Sequence, residues 1–458
     1  MGIVIALIVT FWAGWLIMKS YKPQPVLFLA GMVLMFTAVA LGLGTILPAK
    51  ESTGLVFFDA FEFIKKTLSS RAAGLGLNIM AVGGFARYMD KIGASRALVK
   101  LTIRPLLALR APYIVMSGTW VLGMFLGLAI NSASGLAMLL MVTAFPILVG
   151  LGISRLSATA AIATTMCLDW SPSDVGTILA ANNAGIDPVL YWTQYQIPIT
   201  ATVLPIVAVL HFVTQKWMDK RDGHVVTPVQ IETPKIEGAE QDPTPPMYYA
   251  ILPVIPLALI LIFSELWIAS IKMDIIKAMM VGLAVAMVVD FARTFDGKKV
   301  MGDIQAFFDG LGMQMANVVT LIVAGETFAK GLVTIGAIDS IINSAQASGF
   351  GAIGMILVMT GIIAVCAIIM GSGNAPFFAF AALTPAVAAK MSVPPVIMLL
   401  PMHFAASAAR AMSPITAVIV VSSSMGGVSP FDLVKRTAIP MAGTLITLTV
   451  CNFVYFYR

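Results

Sequence analysis

The sequence predicts an all-α polytopic membrane protein built from two inverted repeats, and three observations carry the prediction. Of 458 residues, 59% are hydrophobic and only 11% are charged. Soluble proteins carry about 25% charge, so this chain cannot cover a water-facing surface of its size. Apolar runs recur at lengths that suit a hydrocarbon core about 30 Å thick, which takes roughly 20 residues per helical crossing. Runs such as Ile251 to Phe263 lack the alternation of a membrane barrel strand. Finally, the chain matches itself at one offset over more than a hundred residues.

The expected spans follow in order. In the first half they lie near 2–18, 25–48, 72–90, 153–181 and 189–215, and in the second near 247–264, 275–293, 314–332, 395–425 and 431–457. The run from Gly2 to Met18 lacks a basic leader and a small-residue cleavage site, so it reads as a retained helix. Two more apolar stretches, about 112–150 and about 353–390, are interrupted midway by small polar residues. Phe57 to Leu68 and Ala94 to Arg110 are amphipathic and are expected along the membrane interface. Lys216 to Pro246 is the long polar stretch, a solvated cytoplasmic linker. The expected organisation is therefore 1–215, a linker 216–246, and 247–458.

At an offset of 243, Phe85-Ala86 matches Phe328-Ala329, Ile92-Gly93-Ala94 matches Ile335-Gly336-Ala337, and Asn131 matches Asn374. At 242, Ser171-Pro172 matches Ser413-Pro414, Gly185 matches Gly427, and Ile197-Pro198 matches Ile439-Pro440. Equivalent points are an odd number of crossings apart, which inverts the second copy. Inverted repeats with discontinuous helices near the midplane belong to secondary transporters. Most basic residues then fall on the cytoplasmic side if both termini are extracytoplasmic. The net charge of +6 is spread among loops, so no nucleic-acid partner is implied. Cys167, Cys366 and Cys451 lie in apolar runs without paired spacing, and neither a disulfide nor a metal site is expected.

Four polar islands break the apolar runs, and the repeat pairs them. Asn131, Ser132 and Ser134 correspond to Ser372 and Asn374; each island sits where a re-entrant hairpin would turn, with hydroxyls and amides to satisfy freed backbone groups. Thr165 and Ser171 correspond to the region of Ser413 and Thr416, where Pro172 and Pro414 remove a helix donor and should unwind a long span, giving broken helices over 153–181 and 395–425. Half-helix N-termini offer free N–H groups to an anion. Arg410, at membrane depth, is a candidate carboxylate contact, or else a structural partner of Asp169 or Asp174. Asp169, Asp174 and His403 are candidates for a coupling ion, against the plainer reading of ion pairs and a packing histidine. Small residues in apolar helices also serve close packing.

The strings Ser132-Ala133-Ser134-Gly135, Met370-Gly371-Ser372-Gly373-Asn374-Ala375-Pro376-Phe377, Ser413-Pro414-Ile415-Thr416-Ala417-Val418 and Val434-Lys435-Arg436-Thr437 resemble the DcuC and DcuD type of anaerobic C4-dicarboxylate carriers, nearer the DcuD branch, from end to end. The resemblance implies uptake, exchange or efflux of fumarate, succinate, malate or aspartate across a bacterial inner membrane. More distantly the chain is similar to the ion-transporter superfamily with its divalent-anion sodium symporters, which implies a homodimer, an elevator-type fold, and substrate held by Asn131, Ser132, Ser134, Thr165, Ser171, Ser372, Asn374, Ser413 and Thr416. The tips read Asn-Ser-Ala and Gly-Ser-Gly-Asn in place of the Ser-Asn-Thr triplets of sodium-coupled relatives, which leaves H+ coupling, Na+ coupling or exchange open. No cofactor is expected. A carrier of another small carboxylate or amino acid, and a passive channel, remain rival readings; a membrane enzyme would need clustered His, Asp or Cys at one face, which the sequence does not offer.

Overall fold

The computed structural model describes residues 2–19, 21–103, 105, 111–226, 245–264, 267–268, 270–337, 340 and 351–457. Among the described residues the secondary structure is helical, with no strand. Among the described residues six helices are long and apolar enough to cross a membrane: Pro23–Ala40, Pro188–Arg221, Ile275–Thr294, Gly297–Thr334, Ala352–Met370 and Pro430–Phe456. Their outer faces carry exposed apolar side chains such as Val209 (60% exposed), Val288 and Ile446 (67% each). Water would not favour such a face; lipid tails do.

Local chemistry sets where helices begin and end. Pro23, Pro112, Pro188, Pro395 and Pro430 occupy first turns, where the missing N–H has no intrahelical partner to lose. Helix Val56–Arg71 passes through a π-turn, Ala72–Gly76, into Leu77–Lys91. Helix Gln305–Gln314 does the same through Met315–Val319 into Thr320–Thr334. A π-turn adds a residue without ending the hydrogen-bonded ladder, so the segment 57–68 is continuous with the span expected at 72–90, and the span expected at 314 begins within a longer rod. Helix Pro23–Ala40 stops short of the expected 48, where Gly42 takes φ 65°. The last helix of the first half runs on to Arg221, so the expected linker begins helically. Residues 227–244 of that linker lie outside the described residues.

Residues with positive φ recur along the chain. Gly93 (φ 77°) is echoed by Gly336 (φ 76°), and Gly185 (φ 69°) by Gly427 (φ 61°). The second pair ends two matching helices, Val175–Ala184 and Ala417–Gly426, in the left-handed cap that glycine adopts without a Cβ clash. The interrupted stretches fold as helical hairpins. Pro112–Leu126 turns back into Ala133–Thr143, and Ala352–Met370 turns at Gly371 (φ 64°) into Asn374–Ala381. Two further helices are broken: Arg155–Ala163 gives way at 164–174 before Val175–Ala184, and Pro395–Arg410 gives way at 411–416 before Ala417–Gly426.

Packing brings the broken helices together. The N-terminal part of each lies against the C-terminal part of the other, so they run antiparallel side by side. Elsewhere glycines set the closest approaches: Gly31 and Gly331 meet where Pro23–Ala40 crosses Thr320–Thr334, and Gly83 and Gly84 meet Gly310. Without Cβ atoms these backbones approach closely, which in lipid supplies contact that the hydrophobic effect does not. A buried polar clamp adds a directional fastening. Arg436 donates to Asp219 (2.7 Å), Ser157 (3.0 Å) and Asp222 (2.6 Å), while Ser154 and Tyr113 also donate to Asp219. One arginine of the second half thereby holds three elements of the first.

Candidate functional site

The site is assembled where the two broken helices cross. Asp169 comes from the irregular stretch 164–174, and Arg410 ends helix Pro395–Arg410. Arg410 Nη2 donates to Asp169 Oδ1 at 2.9 Å and to the Met166 carbonyl at 3.0 Å. Ser407, one turn before Arg410, donates to Asp169 Oδ2 at 2.7 Å. Arg410 therefore takes the structural partner that the sequence left open, Asp169, through one nitrogen. Its Nε and Nη1 make no hydrogen bond among the described residues.

Asp174 closes the same irregular stretch. Its Oδ2 accepts from the N–H groups of Gly176 (2.8 Å) and Thr177 (3.1 Å), capping Val175–Ala184. His403 Nε2 lies 3.4 Å from Asp174 Oδ2. Gln196, on the π-turn Trp192–Gln196, reaches Thr177, the Asp169 carbonyl and His403 Nδ1. Asp169, Asp174 and His403 thus bring one oxygen or nitrogen each within 4.8 Å of one another. This is a buried cluster: His403 is 2% exposed, Asp169 5% and Gln196 0%.

The remaining expected residues divide into two groups. Around the first hairpin, Asn131 Nδ2 donates to Ser173 Oγ (3.0 Å), and Ser171 bonds both Ser173 (3.0 Å) and the Leu128 carbonyl (3.0 Å). Ser132 caps Ala133–Thr143 by accepting from Gly135 N at 3.1 Å. Ser134 is half-buried in the first turn of that helix. Thr165 donates to the Ile162 carbonyl at 2.8 Å and fills the space beside Gly123. Asn131 and Ser173 line a narrow cleft with Phe85, Pro253 and Met279.

Around the second hairpin, Ser372 and Asn374 line a cavity of about 450 Å³ with Tyr21, Gln24, Asn317 and Ile415. Ser372 accepts from Ala375 N at 3.4 Å. Ser413 Oγ is buried without a partner among the described residues. Thr416 donates its hydroxyl to the Arg410 carbonyl at 2.6 Å, so it does not cap Ala417–Gly426 and that N-terminus stays open. Gly373 packs on the Ala406 carbonyl next to the Arg410 stem, which seats the hairpin tip directly over the arginine. The structure therefore brings Ser372, Asn374, Arg410, Ser413 and Thr416 to one side. It places Asn131 and Asn374 on different cavities.

Sequence reasoning missed Gln196, Ser407, Asn317 and Gln24. Gln196 carried a usable signal, a full amide in an apolar run immediately before the matched Ile197-Pro198. Ser407 sits one helical turn from Arg410 and could have been paired with it. Asn317 and Gln24 are joined only in space, by Gln24 Nε2 donating to the Asn317 carbonyl at 3.3 Å.

Antiparallel interrupted helices flanked by helical hairpins around a buried ion pair define a membrane transporter of the broken-helix type. Residues 1–457 match the sequence model of the DcuC family, described as C4-dicarboxylate anaerobic carrier, and the chain belongs to that family. It is 35% identical over 453 residues to a Vibrio cholerae protein named probable anaerobic C4-dicarboxylate transporter DcuC, covering 99% of this chain and 97% of that one. It is 34% identical over 436 residues to the Escherichia coli K12 protein named anaerobic C4-dicarboxylate transporter DcuC, covering 95% and 93%. Among solved structures it superposes on the YdaH transporter of Alcanivorax borkumensis with a TM-score of 0.60, covering 95% of this chain and 98% of that one. Its TM-score to MtrF of Neisseria gonorrhoeae is 0.59, covering 95% of each chain. At 14% identity these two likenesses show a shared fold.

Proposed function

We propose that this chain is a secondary active transporter of C4-dicarboxylates such as fumarate, succinate, malate and aspartate in a bacterial inner membrane. The observation that carries the reading is that the segment 410–417 holds the unbonded edge of Arg410, the Ser413 hydroxyl, buried without a partner among the described residues, and the open N-terminus of Ala417–Gly426, while its Ile415 lines the cavity with Ser372 and Asn374. An uncapped helix N-terminus favours an anion, and a guanidinium fork receives a carboxylate through two N–H groups. A second carboxylate would meet the amides of Asn374, Asn317 and Gln24 across the cavity. The names of the relatives favour the same substrate class and a transporter over an enzyme.

The crossing region also limits how a dianion can enter. Asp169 and Asp174 against Arg410 leave one excess negative charge when His403 is neutral, and each unpaired charge in a dry interior costs several kcal/mol. A doubly charged guest therefore travels with a cation, H+ or Na+, or in exchange for another dianion; Asp169, Asp174 and His403 are the coupling candidates. The repeated π-turns, the repeated left-handed positions and the antiparallel broken helices support two inverted repeats, 1–215 and 247–458, and the distribution of basic residues favours extracytoplasmic termini. On that reading the hairpins and broken helices move as one unit against the remaining helices of a homodimer, in an elevator-type cycle. Asn131, Ser132, Ser134, Thr165 and Ser171, gathered around the separate cleft at the first hairpin, belong to the same moving unit.

Counterflow tests this. Proteoliposomes preloaded with fumarate should concentrate labelled fumarate, and succinate, malate and aspartate should compete where monocarboxylates and neutral amino acids do not. Saturating flux with counterflow separates a carrier from a channel. Counterflow driven only by amino acids or monocarboxylates would reject the C4-dicarboxylate assignment.

A further inference from the structure

Gln196 arranges its polar neighbours in a way that decides which nitrogen of His403 carries the proton. Its amide nitrogen lies 3.4 Å from the Asp169 carbonyl, an atom that can only accept, which fixes the amide with nitrogen on that side. The same nitrogen lies 3.4 Å from His403 Nδ1, and the Thr177 hydroxyl donates to Gln196 Oε1 at 3.3 Å. That amide nitrogen, which also donates to the Thr177 hydroxyl at 3.0 Å, carries hydrogens and has no acceptor to offer, so the ring nitrogen facing it, His403 Nδ1, stands without a proton and the ring proton is on Nε2. That Nε2 is buried, completes no hydrogen bond among the described residues, and lies 3.4 Å from Asp174 Oδ2. Phe377 and Phe404 flank the ring at 5.1 and 5.6 Å between centroids, which keeps it in one orientation.

We infer that Asp174 and His403 form the proton site of this transporter, with Gln196 as the positioning residue that holds His403 as the neutral Nε2–H donor; the inference rests on the dicarboxylate reading only for what the proton travels with. One proton from solution adds to the Asp174 carboxylate and makes the carboxylic acid. No other bond changes, because Gln196 occupies Nδ1. The loaded pair is neutral and the empty pair carries one negative charge, so a dianion nearby and the proton favour each other. Asp169 is placed differently: both of its oxygens already accept, one from Arg410 and one from Ser407.

The surrounding charges are few. Asp169 and Arg410 face the pair from the irregular stretch and from the end of the His403 helix, and Cys167 lies in the same stretch. Helices Val175–Ala184, Ala352–Met370 and Asn374–Ala381, packed on that helix, contain no charged residue. Lys390 is exposed at the end of Thr384–Lys390. On Pro430–Phe456, Asp432 and Lys435 pair with each other, and Arg436 with Asp219 and Asp222.

The decisive variant is Asp174→Asn, because asparagine caps a helix as well as aspartate and so keeps the fold while removing the titration. Infrared pH titration of the purified full-length protein, which needs no substrate, should show a protonated-carboxyl band in the wild type that vanishes in Asp174→Asn. Gln196→Met frees Nδ1 to take a proton, so it should move the titration; lower stability with an unmoved titration would reduce Gln196 to a packing role. In binding assays, fumarate affinity should fall about tenfold per pH unit above the midpoint in the wild type, as one linked proton requires, and stay flat in Asp174→Asn. A carboxyl band and a pH slope that survive Asp174→Asn overturn the inference. A band that behaves as expected in a protein that binds no dicarboxylate leaves the proton site standing and removes the substrate assignment instead.

Discussion

The two halves of the chain begin corresponding helices differently. In the first half, Ser154 caps Arg155–Ala163, Asp174 caps Val175–Ala184 and Asp187 caps Pro188–Tyr191, each by accepting from backbone N–H groups. In the second half the matching positions are Pro394, Thr416 and Ser429, and none makes a capping bond. The acids also sit on one side and the bases on the other: Asp169 and Asp174 on the first broken helix, His403 and Arg410 on the second. On the proposed two-repeat reading, the two halves divide the work. The first satisfies its own helix ends with side-chain oxygens, whereas the second leaves the N–H groups of Ala417–Gly426 and one edge of Arg410 open, which is where the proposed function puts the anion.

Four substitutions probe that division, from the largest effect to the smallest. Arg410→Ala should abolish dicarboxylate binding and also strand Asp169 in the interior, costing about 3–5 kcal/mol of stability; counterflow and thermal unfolding would read the two losses separately, and Arg410→Ala with unchanged affinity would remove the arginine from the site. Thr416→Asp should install in the second half the kind of cap that Asp174 provides in the first. The added carboxylate would occupy the open N-terminus, with dicarboxylate affinity lowered by roughly tenfold or more and stability held or raised by about 1 kcal/mol. Unaltered affinity in this variant would mean that the open end does not face the substrate.

Asp187→Ala should cost about 1 kcal/mol of stability, the ordinary worth of a cap, while Ser429→Ala at the equivalent position should cost almost nothing. Equal melting shifts for the two would erase the contrast between the halves. Ser413→Ala removes a buried hydroxyl without a partner among the described residues. It should leave the melting temperature unchanged or slightly raised, and weaken dicarboxylate binding by about fivefold if the hydroxyl meets a carboxylate, since one hydrogen bond is worth about 1 kcal/mol.

Much of this was legible before any coordinates. The polar islands at Asn131, Ser171, Ser372 and Ser413 announce backbone that leaves the helix, because lipid tolerates such residues only where they serve broken or turning chain. The offset near 243 anticipates the paired π-turns and the paired left-handed glycines. Less legible was which polar group partners which. Asp169 and Arg410 are 241 positions apart, and Gln196 and His403 are 207 apart; no local pattern joins them. The continuity of 56–91 was hidden because amphipathic character marks which face is wet without marking where a rod ends.

What the sequence by itself determined is the medium and the joints: its apolar content demands lipid, and its prolines and polar islands dictate where helices start, turn and break, since those are preferences of single residues and their near neighbours. Only the tertiary structure decided that Arg410 spends one nitrogen on Asp169, that Asn131 and Asn374 open onto separate cavities, and that Gln196 points at His403. Ion pairs and cavities depend on the crossing of distant segments to within an ångström, and that distance is set by how glycines such as Gly31, Gly331 and Gly373 let backbones close on one another.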